Sequence, residues 1–488
     1  MWFQSDVVSD AAAALAAIPP LSACVNAFDY ELVAEKLMPL NGRQNGWDYF
    51  ASGADDEETL RNNANAFHHI WMQPRILRNV SAIDTTWHAG DLIGRECPFP
   101  MYLSSVAMQK LGHEDGELAW IRAANNKGLV HMLPTMSSYS ADECFSECNS
   151  LEQPFWYQLY VHPDREMAKD MILKAENAGC KVLFITCDTP TLGRRDRDRR
   201  NKVGAASSSA GSGAIGSGSP KDSSLNWEDI PWFRSVTSMK IFLKGVGTGE
   251  DAVLAFKAGV DGIVCSNHGG RQLNTARSGI EILAEVTAAL DSEFTKEECK
   301  DFTVFMDGGV RRGTDIFKAI ALGATAVGIG KPATFAMSAY GQPGIEKMIE
   351  GLNEEFRNAM QLMGCTTVEQ IREEGRHMVD ISNLHTHLDG NPTDYHYEPV
   401  NVFTHGTQHP LLDSPVDGGL GVSDPLVTET VTETMQFPDG RIVTTSTTVS
   451  GPAGSGGVEV EPGESDPVVL DGGDETPLAA KETPTAKL

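Results

Sequence analysis

From about residue 97 to 340 the chain repeats one unit, a short apolar run followed by a longer amphipathic stretch. The runs are Phe99–Ser104, Leu129–Thr135, Phe155–Tyr160, Val182–Asp188, Ile241–Val246, Gly262–His268, Val304–Gly309 and Val327–Lys331. Each has the length of a buried strand and is apolar or β-branched almost throughout, as a parallel sheet covered on both faces requires. The intervening stretches read as helices; in Gly313–Leu322, Ile316, Phe317 and Ile320 fall on one face. Eight strands in βα alternation predict an α/β fold, a (β/α)₈ TIM barrel. An open doubly wound sheet also fits the alternation but typically uses about five or six strands. The runs end in polar residues or glycine, where a barrel carries its chemistry.

Around this core the composition changes. Residues 1–20 read as unstructured, and 25–80 as a helical approach to a main domain spanning 21–390. Residues 203–224 are almost entirely Gly, Ser and Ala, which predicts a mobile loop, either part of a lid or a neutral insertion. Residues 391–488 turn to Pro, Gly, Ser, Thr and acid and read as a mostly disordered tail, although 426–449 alternate Val and Thr around Phe437-Pro438-Asp439-Gly440, a turn signal. The net charge of −28 argues against a nucleic-acid partner, and residues 401–488 alone carry 14 Asp and Glu against 3 Lys and Arg. No run approaches the roughly 20 apolar residues of a membrane span. Nine cysteines lack metal-binding spacing, so no metal site and a reduced, intracellular protein are expected; Cys144 and Cys148 read as half-buried thiols on a helix. The first 35 residues hold no Lys or Arg and fit neither a mitochondrial nor a secretory leader. Ala486-Lys487-Leu488 varies a peroxisomal address by one residue, which predicts a peroxisomal protein, with the cytoplasm as the alternative.

The strand ends carry the candidate site. Asp307-Gly308-Gly309-Val310-Arg311 after strand seven and Gly328-Ile329-Gly330-Lys331 at strand eight combine glycines, whose backbone approaches a phosphate closely, with cations, in the positions where barrels hold phosphate. Strand six ends Ser266-Asn267-His268-Gly269-Gly270-Arg271: an imidazole able to act as base, then a guanidinium able to fork onto a carboxylate. A capping His and a surface Arg are the plain alternative. Asp188 ends strand four and can orient that imidazole. Tyr160 ends strand three on the face of Gln158 and can bond a substrate oxygen. Lys244 in a barrel mouth calls for an anion or an electron-rich cofactor. The run Arg194–Lys202 (RRDRDRRNK) reads as a solvated face with one functional Arg.

Taken together, DYFASGA at 48–54, YQLY at 157–160, Asp188-Thr189-Pro190 with Leu192-Gly193-Arg194-Arg195, SNHGGRQLN at 266–274 and DGGVRRGTD at 307–315 resemble the FMN-dependent 2-hydroxy-acid dehydrogenase and oxidase family over about residues 21–385. That family includes glycolate oxidase, lactate oxidase and the flavin domain of flavocytochrome b2. The resemblance implies that His268 takes the Cα or hydroxyl proton as hydride passes to the flavin, paired with Asp188. Arg271 and Tyr49 would bind the carboxylate, Tyr160 the hydroxyl oxygen, and Arg195 would be the lid's substrate contact. For FMN it implies Ala107 by N5 within Ser105-Val106-Ala107, Gln158 and Thr186 at the pyrimidine, and Lys244 at N1 and O2. Ser266 and Asp307 would hold the ribityl chain, and Gly308, Gly309, Arg311, Gly330 and Lys331 the phosphate.

Departures from the family pattern bear on flavin tuning and substrate. Ser105-Val106-Ala107 lacks a Thr usual beside the flavin, Pro134 replaces a Ser, and Lys331 replaces an Arg, while Met136 lies where members vary with substrate size. Only about 20 residues precede the flavin domain, without the paired His of a b5-type haem module, so electrons are expected to leave by another route, to oxygen or another acceptor. The expectation is a small 2-hydroxy acid as substrate and a homo-oligomer, tetrameric by resemblance. The alternatives are a dehydrogenase serving a quinone or protein, and a catalytically silent flavoprotein. An FMN barrel acting as an isomerase or on nucleotides is disfavoured, having no use for a His268–Arg271 carboxylate site.

Overall fold

The computed structural model describes residues 17–204, 221–384, 427–436 and 442–451. Eight parallel strands close a barrel: β1 (Met101–Leu103), β2 (His131–Pro134), β3 (Phe155–Leu159), β4 (Val182–Thr186), β5 (Lys240–Val246), β6 (Gly262–Cys265), β7 (Thr303–Asp307) and β8 (Ala326–Ile329), with β8 pairing β1. Each falls within one of the eight apolar runs or within a residue of its edge. Three helices precede the barrel: α1 (Ala27–Leu40), α2 (Gln44–Ala51) and α3 (Glu58–Asn65). Helices α4 (Gly116–Asn126), α5 (Ala141–Ser150) and α6 (Arg165–Asn177) follow β1 to β3. After β4 come α7 (Asp196–Gly204) and α8 (Ile230–Val236); α9 (Gly249–Lys257), α10 (Gly279–Glu293) and α11 (Gly313–Ala321) follow β5 to β7. The last strand leads into α12 (Lys331–Met363), bent at Gly341 (φ 64°) and Pro343, and then α13 (Val368–Glu374).

Alternation along the strands divides the barrel lumen into two layers. Side chains two residues apart point the same way, so Tyr102, Trp156, Phe184, Phe242 and Phe305 occupy the lower layer, all fully buried. Their rings pack at 5.0–5.4 Å, as in Tyr102–Trp156, Phe184–Phe242 and Phe242–Phe305. Trp87, on a short antiparallel pair beneath (Trp87–His88 with Glu96–Cys97), meets Phe305 at 5.9 Å and closes the floor. Two residues further along the same strands stand Ser104, Gln158, Thr186, Lys244 and Asp307. An aromatic plug below therefore leaves one open end, and polar groups ring it.

The helical approach seen in residues 25–80 folds over that end rather than beside it. Ala54 N donates to Gly270 O and Asp55 N to Arg194 O, both at 2.8 Å. Arg197 forks onto Glu57, with both bonds at 2.9 Å. The basic run is therefore not merely a solvated face: Arg194 pairs with Asp196 in solvent, Arg195 turns into the cavity, and Arg197 fastens the segment to the N-terminal region. Cys144 and Cys148 are fully buried rather than half-buried, because their side of α5 packs on the barrel. All nine cysteines are free.

Residues 1–16, most of the Gly/Ser stretch (205–220) and Ala486-Lys487-Leu488 lie outside the described residues. The chain divides into units Met1–Tyr397 and Glu398–Leu488. In the second, β9 (Val427–Gln436) pairs antiparallel with β10 (Ile442–Gly451), so these two strands depart from the disorder expected of the tail and follow its Val/Thr alternation. Among the described residues no helix is long and apolar enough to cross a membrane, and no group of three His, Cys, Asp or Glu could hold a metal ion.

Candidate functional site

A cavity opens at the C-terminal ends of the strands. Tyr49, Tyr160, Arg195, His268 and Arg271 line it, as do Ser105, Val106, Ala107, Gln158, Thr186, Lys244, Asp307, Gly308, Gly309, Arg311, Gly330 and Lys331. Two residues singled out in the sequence stand one step behind the wall. Asp188 backs His268, and Ser266 backs Lys244 and Asp307.

His268 follows β6 in a left-handed conformation (φ 61°), uncommon for any residue with a side chain. Ser266 Oγ accepts its backbone N–H at 3.1 Å, which helps hold that turn. The imidazole lies between Asp188 and Tyr160, with Thr189 Oγ1 also 3.3 Å from Nδ1. Nδ1 is 2.8 Å from Asp188 Oδ1, and Nε2 is 3.1 Å from the Tyr160 hydroxyl. A carboxylate only accepts, so Nδ1 carries the hydrogen and Nε2 presents a lone pair to the cavity side. Burial pushes the His268 pKa below the ordinary histidine value; Asp188 opposes that, while Lys244 and Arg195 add to it. The ring is neutral at neutral pH and able to take a proton. Burial raises the pKa of Asp188, but the imidazole, Lys244 and the Thr189 hydroxyl outweigh it and keep the carboxylate ionised. Thr189 Oγ1 donates to Asp188 Oδ1 at 3.0 Å. Space for Asp188 comes from Gly245 (φ 102°), where a Cβ would stand 2.5 Å from the Asp188 Cβ and Cγ.

Arg271 presents a half-buried guanidinium with no ion pair among the described residues. It donates to the carbonyls of Tyr49 and of Ser52 (3.0 Å) and lies over the Tyr49 ring, 4.8 Å from its centroid. Burial first, then Arg195, pushes its pKa down to about 10. Arg195 donates to Arg271 O at 3.1 Å and to Gln272 Oε1 at 3.4 Å. Cations held this way are stabilised by an incoming carboxylate.

At the other side, Lys244 Nζ lies 3.0 Å from Asp307 Oδ2 and 3.1 Å from Ser266 Oγ, and Ser266 Oγ is 2.5 Å from Asp307 Oδ1. Burial opposes the Lys244 charge, but Asp307 and Asp188 raise its pKa. Gln158 Nε2 donates to Thr186 Oγ1 at 2.8 Å. Among the described residues Lys331 Nζ reaches only the Gly269 carbonyl, at 2.9 Å, and its pKa falls well below the ordinary lysine value through burial, then Arg271, Arg311 and Arg195. Gly308 and Gly309 take φ 91° and 86°, and a Cβ on Gly309 would lie 1.8 Å from the Asn63 carbonyl oxygen. A half-buried ammonium without an ion-pair partner among the described residues, beside bare glycine backbone, suits a phosphate. Arg311 differs from expectation in one respect: it also pairs with Glu31 of α1 at 2.6 Å.

Several residues that line the cavity or hold those that do were not singled out in the sequence. Thr189 and Gln272 sit inside motifs that carry the resemblance, so proximity to Asp188 and Arg271 was their signal. Asn63 has none, since α3 reaches the cavity only through the tertiary fold. Lys221 had a faint one, as the sole cation in residues 203–224. Met136 lines the cavity, whereas Pro134 stays within β2, paired with Gln158.

Comparison with known proteins agrees with this arrangement. Residues 41–378 match the family model described as FMN-dependent dehydrogenase. The L-lactate dehydrogenase (cytochrome) of Wickerhamomyces anomalus is 39% identical over 391 residues, covering 78% of this chain and 65% of the relative. The chain therefore spans less than two thirds of that relative's length. Glycolate oxidase 3 of Arabidopsis thaliana is 39% identical over 363 residues, covering 71% and 94%. The crystal structure of the recombinant flavin-binding domain of baker's yeast flavocytochrome b2 superposes with a TM-score of 0.70 at 33% identity, covering 86% of this chain and 98% of that one.

Proposed function

Because the chain belongs to the FMN-dependent dehydrogenase family, we propose that it oxidises a small L-2-hydroxy acid to the 2-keto acid. FMN is the cofactor, and when bound it supplies the two-electron acceptor. Gly308, Gly309, Gly330, Arg311 and Lys331 would hold its phosphate, and Ser266 and Asp307 its ribityl chain. Gln158, Thr186 and Lys244 would meet the polar edge of the ring, and Ser105, Val106 and Ala107 its face.

The chain's own residues then do the following. Arg271, with Tyr49 and Arg195, binds the substrate carboxylate and so fixes which carbon reacts. The Tyr160 hydroxyl bonds the substrate's hydroxyl oxygen. The Nε2 lone pair of His268 accepts one of the two protons lost, and Asp188 steadies the imidazolium that results. The imidazole held between Asp188 and Tyr160, beside a guanidinium with no ion pair among the described residues, is the observation that carries this reading.

Mixing the purified, yellow protein anaerobically with glycolate, L-lactate and longer 2-hydroxy acids tests it. Bleaching of the flavin is expected; a flavin unchanged by every acid overturns the proposal. Admitting air separates two acceptors. Rapid return of colour marks an oxidase. Slow return favours the second reading, a dehydrogenase passing electrons to a protein or quinone, which similarity to a cytochrome-linked lactate dehydrogenase supports. The peroxisomal reading of Ala486-Lys487-Leu488 belongs to the same proposal, and loss of peroxisomal import on changing Leu488 would support it. A homotetramer is likewise proposed, with light scattering as its check.

A further inference from the structure

Arg271 and His268 deal with one end of a 2-hydroxy acid, its carboxylate and its reacting carbon. One more cation faces the same cavity with no task in that scheme. Lys221, where the chain returns toward α8, extends its ammonium to 4.9 Å from the centroid of the Tyr160 ring and lines the cavity. No carboxylate among the described residues lies within ion-pair reach of it. Its neighbour Asp222 is already engaged, with Arg165 at 2.8 Å and Ser224 Oγ at 2.6 Å. Lys221 is half-buried, and burial, followed by the nearby charge of Arg195, draws its pKa below the ordinary lysine value. Arg195 in turn donates to two neutral oxygens, Arg271 O and Gln272 Oε1.

A half-buried ammonium without an ion-pair partner among the described residues is relieved of its desolvation cost when an anion binds it. One substrate carboxylate meets Arg271, with Tyr49 and Arg195. A second negative group on the same molecule would meet Lys221, beside the Tyr160 ring. Solvation alone explains a lysine at a rim, but not one that lines the cavity over an aromatic ring.

Resting on the function proposed above, we infer that the preferred substrate is an L-2-hydroxy acid with a second carboxylate at the end of a short chain, bound by Lys221. Lys221 is then a specificity-determining residue: it selects the acid and takes no part in the proton chemistry.

The experiment pairs acids of equal backbone length in the flavin-loaded full chain: L-malate against L-2-hydroxybutyrate, and L-2-hydroxyglutarate against L-2-hydroxyvalerate. The kcat/KM for reduction should favour a dicarboxylate over its partner at least tenfold. Lys221→Met should erase that ratio, and Lys221→Arg should restore most of it. An equilibrium readout runs alongside. Titration with 2-oxoglutarate or 2-oxovalerate should perturb the oxidised flavin spectrum, with tighter binding of the diacid in the parent and not in Lys221→Met. Bleaching by the monocarboxylates at equal or greater efficiency, or a ratio untouched by Lys221→Met, overturns the inference and leaves the hydroxy-acid reading standing. A flavin bleached by none of the acids removes both.

Discussion

At the scale of single residues the account rests on a neutral imidazole, and it makes a pH prediction. A base must be unprotonated to act, so kcat/KM falls as pH drops through the His268 pKa. Burial sets that pKa below the ordinary value of 6.5, which puts the acid limb below pH 6.5. At the other end, Arg271 loses its charge as pH rises through about 10, so carboxylate binding and kcat/KM fall there. A plateau between the two limbs is expected; an acid limb centred above pH 7 would contradict the neutral-imidazole assignment. Asp188→Asn sharpens the point. It removes the carboxylate that raises the His268 pKa, so the acid limb moves further down. It also loses the acceptor that fixes the Nδ1–H tautomer, which in comparable carboxylate–imidazole pairs costs on the order of 10⁴-fold in kcat. Gly245 is a quieter dependence. In Gly245→Ala the new Cβ would need the space of Asp188 at φ 102°, a strain of about 1–3 kcal/mol, read as a lower Tm together with reduced turnover.

At the scale of elements, one alternation rule places both the plug and the site. The strand that buries Phe305 presents Asp307 two residues later, and Phe242 and Lys244, Phe184 and Thr186, and Trp156 and Gln158 repeat the relation. The aromatic layer is therefore the platform on which the polar ring stands. Trp87→Ala would open the floor beneath Phe305. Removing a fully buried tryptophan typically costs about 3–5 kcal/mol, so a Tm lowered by several degrees is expected, with substrate specificity unchanged because Trp87 does not line the cavity. The strands were legible in the sequence because a strand buried on both faces has no polar alternation, and their polar endings marked the mouth. Contacts between distant elements were not. Nothing local in α3 shows that Asn63 will press against Gly309, or that Glu31 of α1 will reach Arg311, since only barrel closure and the folding-over of the N-terminal helices bring them together. Lys221 escaped for another reason: a Gly/Ser-rich flank says little about where its one cation will point.

For the whole molecule, the barrel and its N-terminal helices carry every residue of the proposed chemistry, all within the unit Met1–Tyr397. The acid-rich segment beyond it contributes much of the net charge of −28. That separation focuses the central claim on one pairing, an imidazole base facing a guanidinium anchor across a flavin pocket. The direct measurement is the rate of anaerobic flavin reduction in His268→Gln beside the parent protein, each saturated with the acid that bleaches the parent best. The account predicts a yellow variant that still binds the 2-keto acid product, because Arg271 is intact, yet reduces its flavin on the order of 10²–10⁴-fold more slowly. Reduction at the parental rate would contradict it.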